Sequence, residues 1–172
     1  VPYIVLKDDA ETTLTQFKNI DIVTSTCPCA GLSQLNTSKS GAKARGADAI
    51  QNQWMYTSTE HVLKFIQPKV LIGENAPALF TKSGEATANK LREIGQQNGY
   101  SLTLYKTTTS LHGIPQCRTR TFYIFWKSDT APVLEFYNRD RLSFKDFLLS
   151  KNITHNEDEL KKYSKSNIGD DI

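Results

Sequence analysis

The sequence predicts an α/β fold built on a single sheet. Short runs of strand-forming residues alternate with stretches of helical periodicity, the pattern of a mostly parallel sheet flanked by helices. At 172 residues, 38% of them hydrophobic, the chain is long enough to bury a core of its own. Three of the strand-like runs begin or end on a polar cluster. In open α/β sheets ligands sit beyond the carboxyl ends of strands, so those clusters are the candidate functional residues.

Taken in order, Tyr3 to Leu6 reads as a strand. Ala10 to Phe17 reads as a short helix with Asp8 or Asp9 as its cap and Leu14 and Phe17 on one face. Ile20 to Val23 is a strand running into Thr26-Cys27-Pro28-Cys29-Ala30-Gly31-Leu32-Ser33. Asn36 to Gln51 is polar and reads as a long loop, a kind of segment usually functional or disordered. From Trp54 the spacing is helical: Trp54, Ser58, His61, Val62 and Phe65 would share a face, with Ser58 the small polar member. Pro68 ends that helix, and Lys69 to Gly73 is a buried-type strand. Ala86, Leu91 and Ile94 mark a second helix between Ser83 and Gly99. Leu102 to Tyr105 and Thr121 to Trp126 are further strands, and Phe144, Phe147 and Leu148 form one last short helix before a polar tail.

Composition narrows the class. A charged fraction of 23% and a net charge of +3 are ordinary for a globular protein and decide nothing about a polyanionic partner. No apolar run approaches the ~20 residues of a membrane span. The three cysteines are an odd count, and Cys27 and Cys29 are too close to pair easily, which argues against a disulfide framework and for an intracellular, reducing compartment. The start at Val1 lacks an initiator Met and the marks of a signal peptide, so the chain is expected to be a piece of something longer.

Three clusters carry chemistry. Cys29 sits in a Pro/Gly turn after a strand, where a nucleophile would be placed. A free thiol of pKa ~8.5 is only a few per cent thiolate at neutral pH, so it needs positive potential from a helix N-terminus or from Arg118 and Arg120. The competing readings are a buried structural thiol and a metal pair with Cys27; only Cys117 and three scattered His remain to finish such a site, and no metal is expected. Glu74, followed by Asn75-Ala76-Pro77, closes the second strand; it is either a helix cap or a carboxyl group that shares a proton with a ring nitrogen. Gln116, Arg118 and Arg120 would share one face of an extended segment, either as a site or as a solvated edge strand. A Cys hydrolase would need a His base, and His61, His112 and His155 have no supporting context.

In this order the clusters resemble the cytosine-C5 DNA methyltransferase family. Cys27-Pro28-Cys29-Ala30-Gly31-Leu32-Ser33 is similar to the family's Pro-Pro-Cys-Gln-x-Phe-Ser turn, Glu74-Asn75-Ala76 to its Glu-Asn-Val motif, and Gly113-Ile114-Pro115-Gln116-Cys117-Arg118-Thr119-Arg120 to its Gly-Val-Pro-Gln-x-Arg-x-Arg motif. Gln67-Pro68-Lys69 resembles the Lys-Pro before the Glu strand, and Val133 to Leu148 the segment that leads towards target recognition. Cys27, Ala30 and Leu32 depart from the pattern, and Asn52 stands about where an Arg is expected. The Phe-x-Gly-x-Gly loop for S-adenosylmethionine and the ribose-binding acid are not in the sequence.

The resemblance implies a partial Rossmann-like methyltransferase sheet with flanking helices. It makes residues 1–149 part of a catalytic domain and 150–172 a polar, flexible tail leading towards a target-recognition region. It further implies a DNA (cytosine-5-)-methyltransferase of restriction-modification type, in a bacterial or phage-host cytoplasm, acting on double-stranded DNA together with the missing N- and C-terminal parts of the same enzyme. Cys29 would add to cytosine C6, Glu74 would hold N3 and the exocyclic amine, Arg120 would meet O2, and Arg118 would support Glu74 and the loop. Asp8 (or Asp9), Pro28 and Met55 would lie near the adenine of S-adenosylmethionine, and Ser33, Lys39, Lys43, Arg45 and Gln116 would meet DNA. The alternative is a non-catalytic DNA-binding or regulatory module that has lost cofactor binding, and these 172 residues alone are expected to be inactive.

The loop cations give the first test. In the complete enzyme, Lys39→Ala, Lys43→Ala or Arg45→Ala should each flatten the slope of log K against log salt by ~0.9, one phosphate contact apiece. Salt titrations that leave all three slopes at the wild-type value would remove the loop from the DNA interface.

Overall fold

The computed structural model describes residues 9–28, 31–32 and 49–150. The expected strand at Tyr3 to Leu6, most of the polar loop, the tail beyond residue 150, and Asp8, Cys29, Ser33, Lys39, Lys43 and Arg45 lie outside the described residues. The chain divides into two compact units, one of residues 1–108 with 118–137 and one of residues 109–117 with 138–172.

The first unit holds a four-stranded sheet: β1 (Ile22–Ser25), β2 (Val70–Asn75), β3 (Ser101–Thr108) and β4 (Thr119–Trp126), in the spatial order β1-β2-β4-β3. Strands near Val23, Gly73 and Phe125 therefore share one sheet, as expected. The direction differs from the expectation. Only β1 and β2 run parallel; β4 is antiparallel to both of its neighbours. Alternation of strands and helices signals a parallel sheet, but β3 and β4 have no helix of crossover length between them, so they pair as antiparallel neighbours.

Among the described residues this unit carries three α-helices: α1 (Ala10–Thr15), α2 (Ile50–His61, continued as a π-helical turn over Val62–Ile66) and α3 (Glu85–Gln97). Asp9 is the α1 cap: its Oδ1 accepts from the Thr12 N–H at 2.9 Å. The Thr12 hydrogen bonds hold the Asp9 carboxyl below its ordinary range. Helix α2 starts at Ile50, inside the segment expected to be loop, and turns a different face inward from the expected one. Trp54 is 67% exposed, whereas Met55, Tyr56, Thr59, Leu63 and Ile66 are buried. The stripe through Trp54 and the stripe one residue on have similar spacing, and only packing against the sheet chooses between them. Gln67 at φ 56° closes the π-helical turn in the left-handed region before Pro68. Along α3, Thr87, Ala88, Leu91, Ile94 and Gly95 are buried, while Ala86 faces solvent.

Alternation along the strands makes two unlike faces. In β2, Leu71, Gly73 and Asn75 are buried; Val70, Ile72 and Glu74 are half-buried on the other side. The buried face carries the rows Val23–Leu71–Phe125–Leu102 and Ser25–Gly73–Tyr123–Leu104. Leu63, Leu79, Leu91 and Ile94 share the core cluster with that face. Tyr100 is buried just before β3, donates to the Pro68 carbonyl at 2.7 Å, and has its phenol pushed up by burial to about 12.

The second unit contains a 3₁₀ turn, Thr109–His112, and helix α4, Phe144–Ser150. Ser143 caps α4: its Oγ accepts from the Asp146 N–H at 3.0 Å and donates to Asp146 Oδ2 at 2.6 Å. The Arg139 N–H donates to the Leu111 carbonyl at 3.0 Å, joining the two segments of the unit.

Gly73 has a specific steric cause. The Tyr123 ring lies over it, and a Cβ there would sit 1.8 Å from Tyr123 Cζ. Gly73→Ala should therefore destabilise the protein by about 3 kcal/mol, the upper part of the range for overpacking a filled core. Adding Tyr123→Leu should return part of that loss, because the two positions share one space. Additive losses in denaturant titrations of the single and double variants would contradict this account.

Candidate active site

The turn after β1 is held on both sides of the stretch that lies outside the described residues. On the near side, Cys27 Sγ lies 3.3 Å from Ser25 Oγ and 3.2 Å from Ser58 Oγ of α2. Ser58 Oγ also donates to the Met55 carbonyl at 3.1 Å. Each of these side chains has one proton to give. With the Ser58 proton on Met55 O, Ser58 can only accept from Cys27, and Ser25 is left to donate to the sulfur. The hydrogen bonds therefore run one way, from Ser25 through Cys27 and Ser58 to the α2 backbone.

On the far side, Leu32 is buried, and a Cβ at Gly31 would fall 2.8 Å from Ala49 Cβ and 2.9 Å from Asn52 Oδ1. Only glycine lets the backbone come this close to the start of α2. Asn52, expected to stand about where the family has an Arg, is fully buried within α2.

Glu74 and Arg120 come together through the antiparallel register. Glu74 is paired with Phe122, and Arg120, two residues earlier on β4, is the diagonal neighbour on the same face. Arg120 Nε donates to Glu74 Oε1 at 2.6 Å, with the side chains 25% and 32% exposed respectively. Arg120 Nη1 donates to the Thr119 carbonyl at 2.8 Å. The carboxylate next to the Cys turn is thus held by Arg120, the residue expected to meet the base, whereas Arg118, expected to support Glu74, is exposed and precedes the strand.

Of Gln116, Arg118 and Arg120, expected on one extended face, only Arg120 lies within a strand. Strand β4 begins at Thr119, and the Gln116 N–H donates to the Ile114 carbonyl at 2.8 Å, closing a tight turn. The proline at 115 and the glycine at 113, with φ 72°, favour a turn over a strand here. Gln116 is exposed and belongs to the second unit.

Asn75, the partner of Glu74 in sequence, points to the opposite face and is fully buried. Its Oδ1 accepts from the Ala76 N–H at 2.7 Å, and its Nδ2 approaches Met55 Sδ at 3.4 Å. Asn75 pins the end of β2, and so the strand position from which Glu74 projects. Among the residues expected near a cofactor, Pro28 is exposed and Met55 is fully buried in the core.

Tyr123 is the residue missed at the sequence level. It is fully buried, and its hydroxyl faces Ser25, Cys27 and Thr59 with no described group in hydrogen-bonding geometry. Burial, with the Cys27 thiol beside it, pushes its phenol above the ordinary value. A glycine inside a buried-type strand, as at Gly73, was the available signal of such a close approach.

The family model described as C-5 cytosine-specific DNA methylase matches residues 3–171. The chain is 29% identical over 161 residues to the orphan methyltransferase M.SssI of Spiroplasma monobiae, covering 88% of this chain and 41% of that protein. It is 27% identical over 116 residues to the type II methyltransferase M.NgoPII of Neisseria gonorrhoeae, covering 67% of this chain and 33% of that one. The methyltransferase EhMeth of Entamoeba histolytica shares the fold at TM-score 0.60 and 17% identity, covering 90% of this chain and 47% of that structure. The chain thus spans a third to two fifths of the curated relatives it matches.

The Glu74–Arg120 pair is too exposed to be a strong stabiliser. Glu74→Ala and Arg120→Ala should each cost less than ~1 kcal/mol, with a coupling of about 0.5 kcal/mol in a double-mutant cycle. A coupling of several kcal/mol would show a desolvated pair with a structural role.

Proposed function

Because this chain belongs to the C-5 cytosine-specific DNA methylase family, we propose that it carries the base-handling part of an enzyme that methylates C5 of cytosine in DNA. The observation that supports this best is the Glu74 carboxylate, held by Arg120 at 2.6 Å at the end of the strand beside the Cys27–Cys29 turn.

In this reading Cys29 is the nucleophile. C5 of cytosine is a poor nucleophile within an aromatic ring, and covalent addition splits a difficult step into easier ones. The Cys29 thiolate adds to C6 and the C5=C6 electron pair makes C5 enamine-like; once C5 has taken the methyl group, its proton leaves and the thiolate is expelled from C6, restoring the double bond. Glu74 holds N3 and the exocyclic amine, and the proton it shares with N3 offsets the negative charge that builds there. Arg120 presents one edge of its guanidinium to Glu74 and turns towards O2 of the same base; Arg118 supports the segment before β4. Donors set in place before the reaction, in a site without water, are each worth ~3 kcal/mol. The cytosine must leave the duplex to reach them, at a cost of a few kcal/mol. Ser33, Lys39, Lys43 and Arg45 are assigned to the DNA, as is Gln116 separately.

Family membership implies S-adenosylmethionine as the methyl source. The described residues do not form a cradle for it: Met55 is enclosed in the core, and of the expected contacts only Pro28 and Asp9, the alternative to Asp8, are both described and exposed. Asp8 joins Pro28 in the proposal, and the remaining contacts, like those that choose the DNA sequence, are assigned to parts of the enzyme beyond these residues. Among the described residues no helix is long and apolar enough to cross a membrane.

A duplex carrying 5-fluorocytosine, offered to the full-length enzyme with S-adenosylmethionine, should yield a covalent adduct mapped by mass spectrometry to Cys29. Cys29→Ser should abolish both the adduct and methyl transfer while leaving DNA binding largely in place. An adduct at Cys27 or Cys117 would show the wrong thiol was chosen. DNA bound with no adduct and no transfer would favour a binding module.

A further inference from the structure

The one-way hydrogen-bond chain through Cys27 is used by nothing in the mechanism above. Sheet pairing between β1 and β2 stops at Ser25↔Gly73. From there to Pro28, the Cys27 side chain ties the chain down, its Sγ lying 3.3 Å from Ser25 Oγ and 3.2 Å from Ser58 Oγ. Ser58 is itself tied to the α2 backbone at Met55. Tyr123 closes the group from β4: Ser25, Gly73 and Tyr123 lie in one row of the sheet, and the missing side chain at Gly73 lets the phenol reach towards Ser25, Cys27 and Thr59.

Resting on the reading of Cys29 as the nucleophile, we infer that Cys27 is a positioning residue, whose thiol, between the Ser25 and Ser58 hydroxyls and faced by Tyr123, fixes the backbone from which Pro28 and Cys29 continue. A sulfur that merely filled space would need neither a donor on one side nor an acceptor on the other. Cys27 has both, and the proton count assigns each of them a use. The task requires a side chain that donates and accepts at once. Serine meets that requirement; valine matches the size of cysteine but not its hydrogen bonding.

The two roles therefore predict opposite rankings. In the full-length enzyme, Cys27→Ser should keep kcat within about threefold of wild type. Cys27→Val and Ser58→Ala should each lower kcat about tenfold, the equivalent of one lost hydrogen bond expressed at the reaction step. KM for DNA and the midpoint of thermal unfolding should stay near wild type in all three, which separates positioning from loss of fold or of DNA binding. Cys27→Val equal to or faster than Cys27→Ser would make Cys27 packing alone and overturn the inference, as would a loss in Cys27→Val and Ser58→Ala that follows their unfolding midpoints. Cys29→Ser, assayed alongside, separates the two layers of the argument. If it still transfers methyl groups, the nucleophile reading falls and the inference with it. If it is inactive while Cys27→Val turns over at the wild-type rate, only the inference falls.

Discussion

The antiparallel ladder between β2 and β4 is the contact on which the rest of the first unit depends. Because β4 runs against β2, its amino end lies beside the carboxyl end of β2, so Arg120 comes diagonally beside Glu74. The same register sets Tyr123 opposite Gly73 and lets its ring cover the strand. A parallel β4 would carry its first residues to the far end of the sheet, away from Glu74. The change of direction beside the one parallel pair is therefore what allows residues more than forty positions apart in sequence to share one place.

The two faces of β2 divide the work. Glu74 projects from the half-buried face, where Arg120 holds its carboxylate. Asn75 projects from the buried face, where its amide satisfies the Ala76 N–H and approaches Met55 sulfur. A buried amide without such partners would cost more than it contributes. The Glu-Asn pair thus combines a working group with an anchor on consecutive residues, because strand side chains alternate between faces.

Helix α2 links the core to the candidate site. Its buried stripe, Met55, Tyr56, Thr59, Leu63 and Ile66, packs towards the sheet, and Ser58 on its shoulder reaches Cys27. Its start accepts the close approach of Gly31. Cys27 and Gly31 are consequently both held against one helix, and the helix is itself held by the sheet face that carries Tyr123 and Phe125. A change in core packing beneath α2 would therefore reach the site through Ser58 and Gly31.

Much of the site was legible in the sequence because its residues lie in short contiguous motifs. Glu74-Asn75 and Arg118-x-Arg120 could each be placed near a strand end from local pattern alone, and the α/β class followed from the alternation of strand and helix signals. A cap at Asp8 or Asp9 was legible for the same reason, since such a hydrogen bond spans three residues, and the structure has it at Asp9. Strand direction was not legible, because a strand looks the same in either direction until its partner is known. The inward face of α2 was not legible either: the Trp54 and Met55 stripes offer comparable apolar spacing, and only the sheet beneath selects one. Most of all, Tyr123 reads in sequence as one more aromatic in a strand. Its reach to Ser25 and Cys27 depends on the side chain that Gly73 lacks in the neighbouring strand, a relation between distant residues that exists only once register brings them into one row.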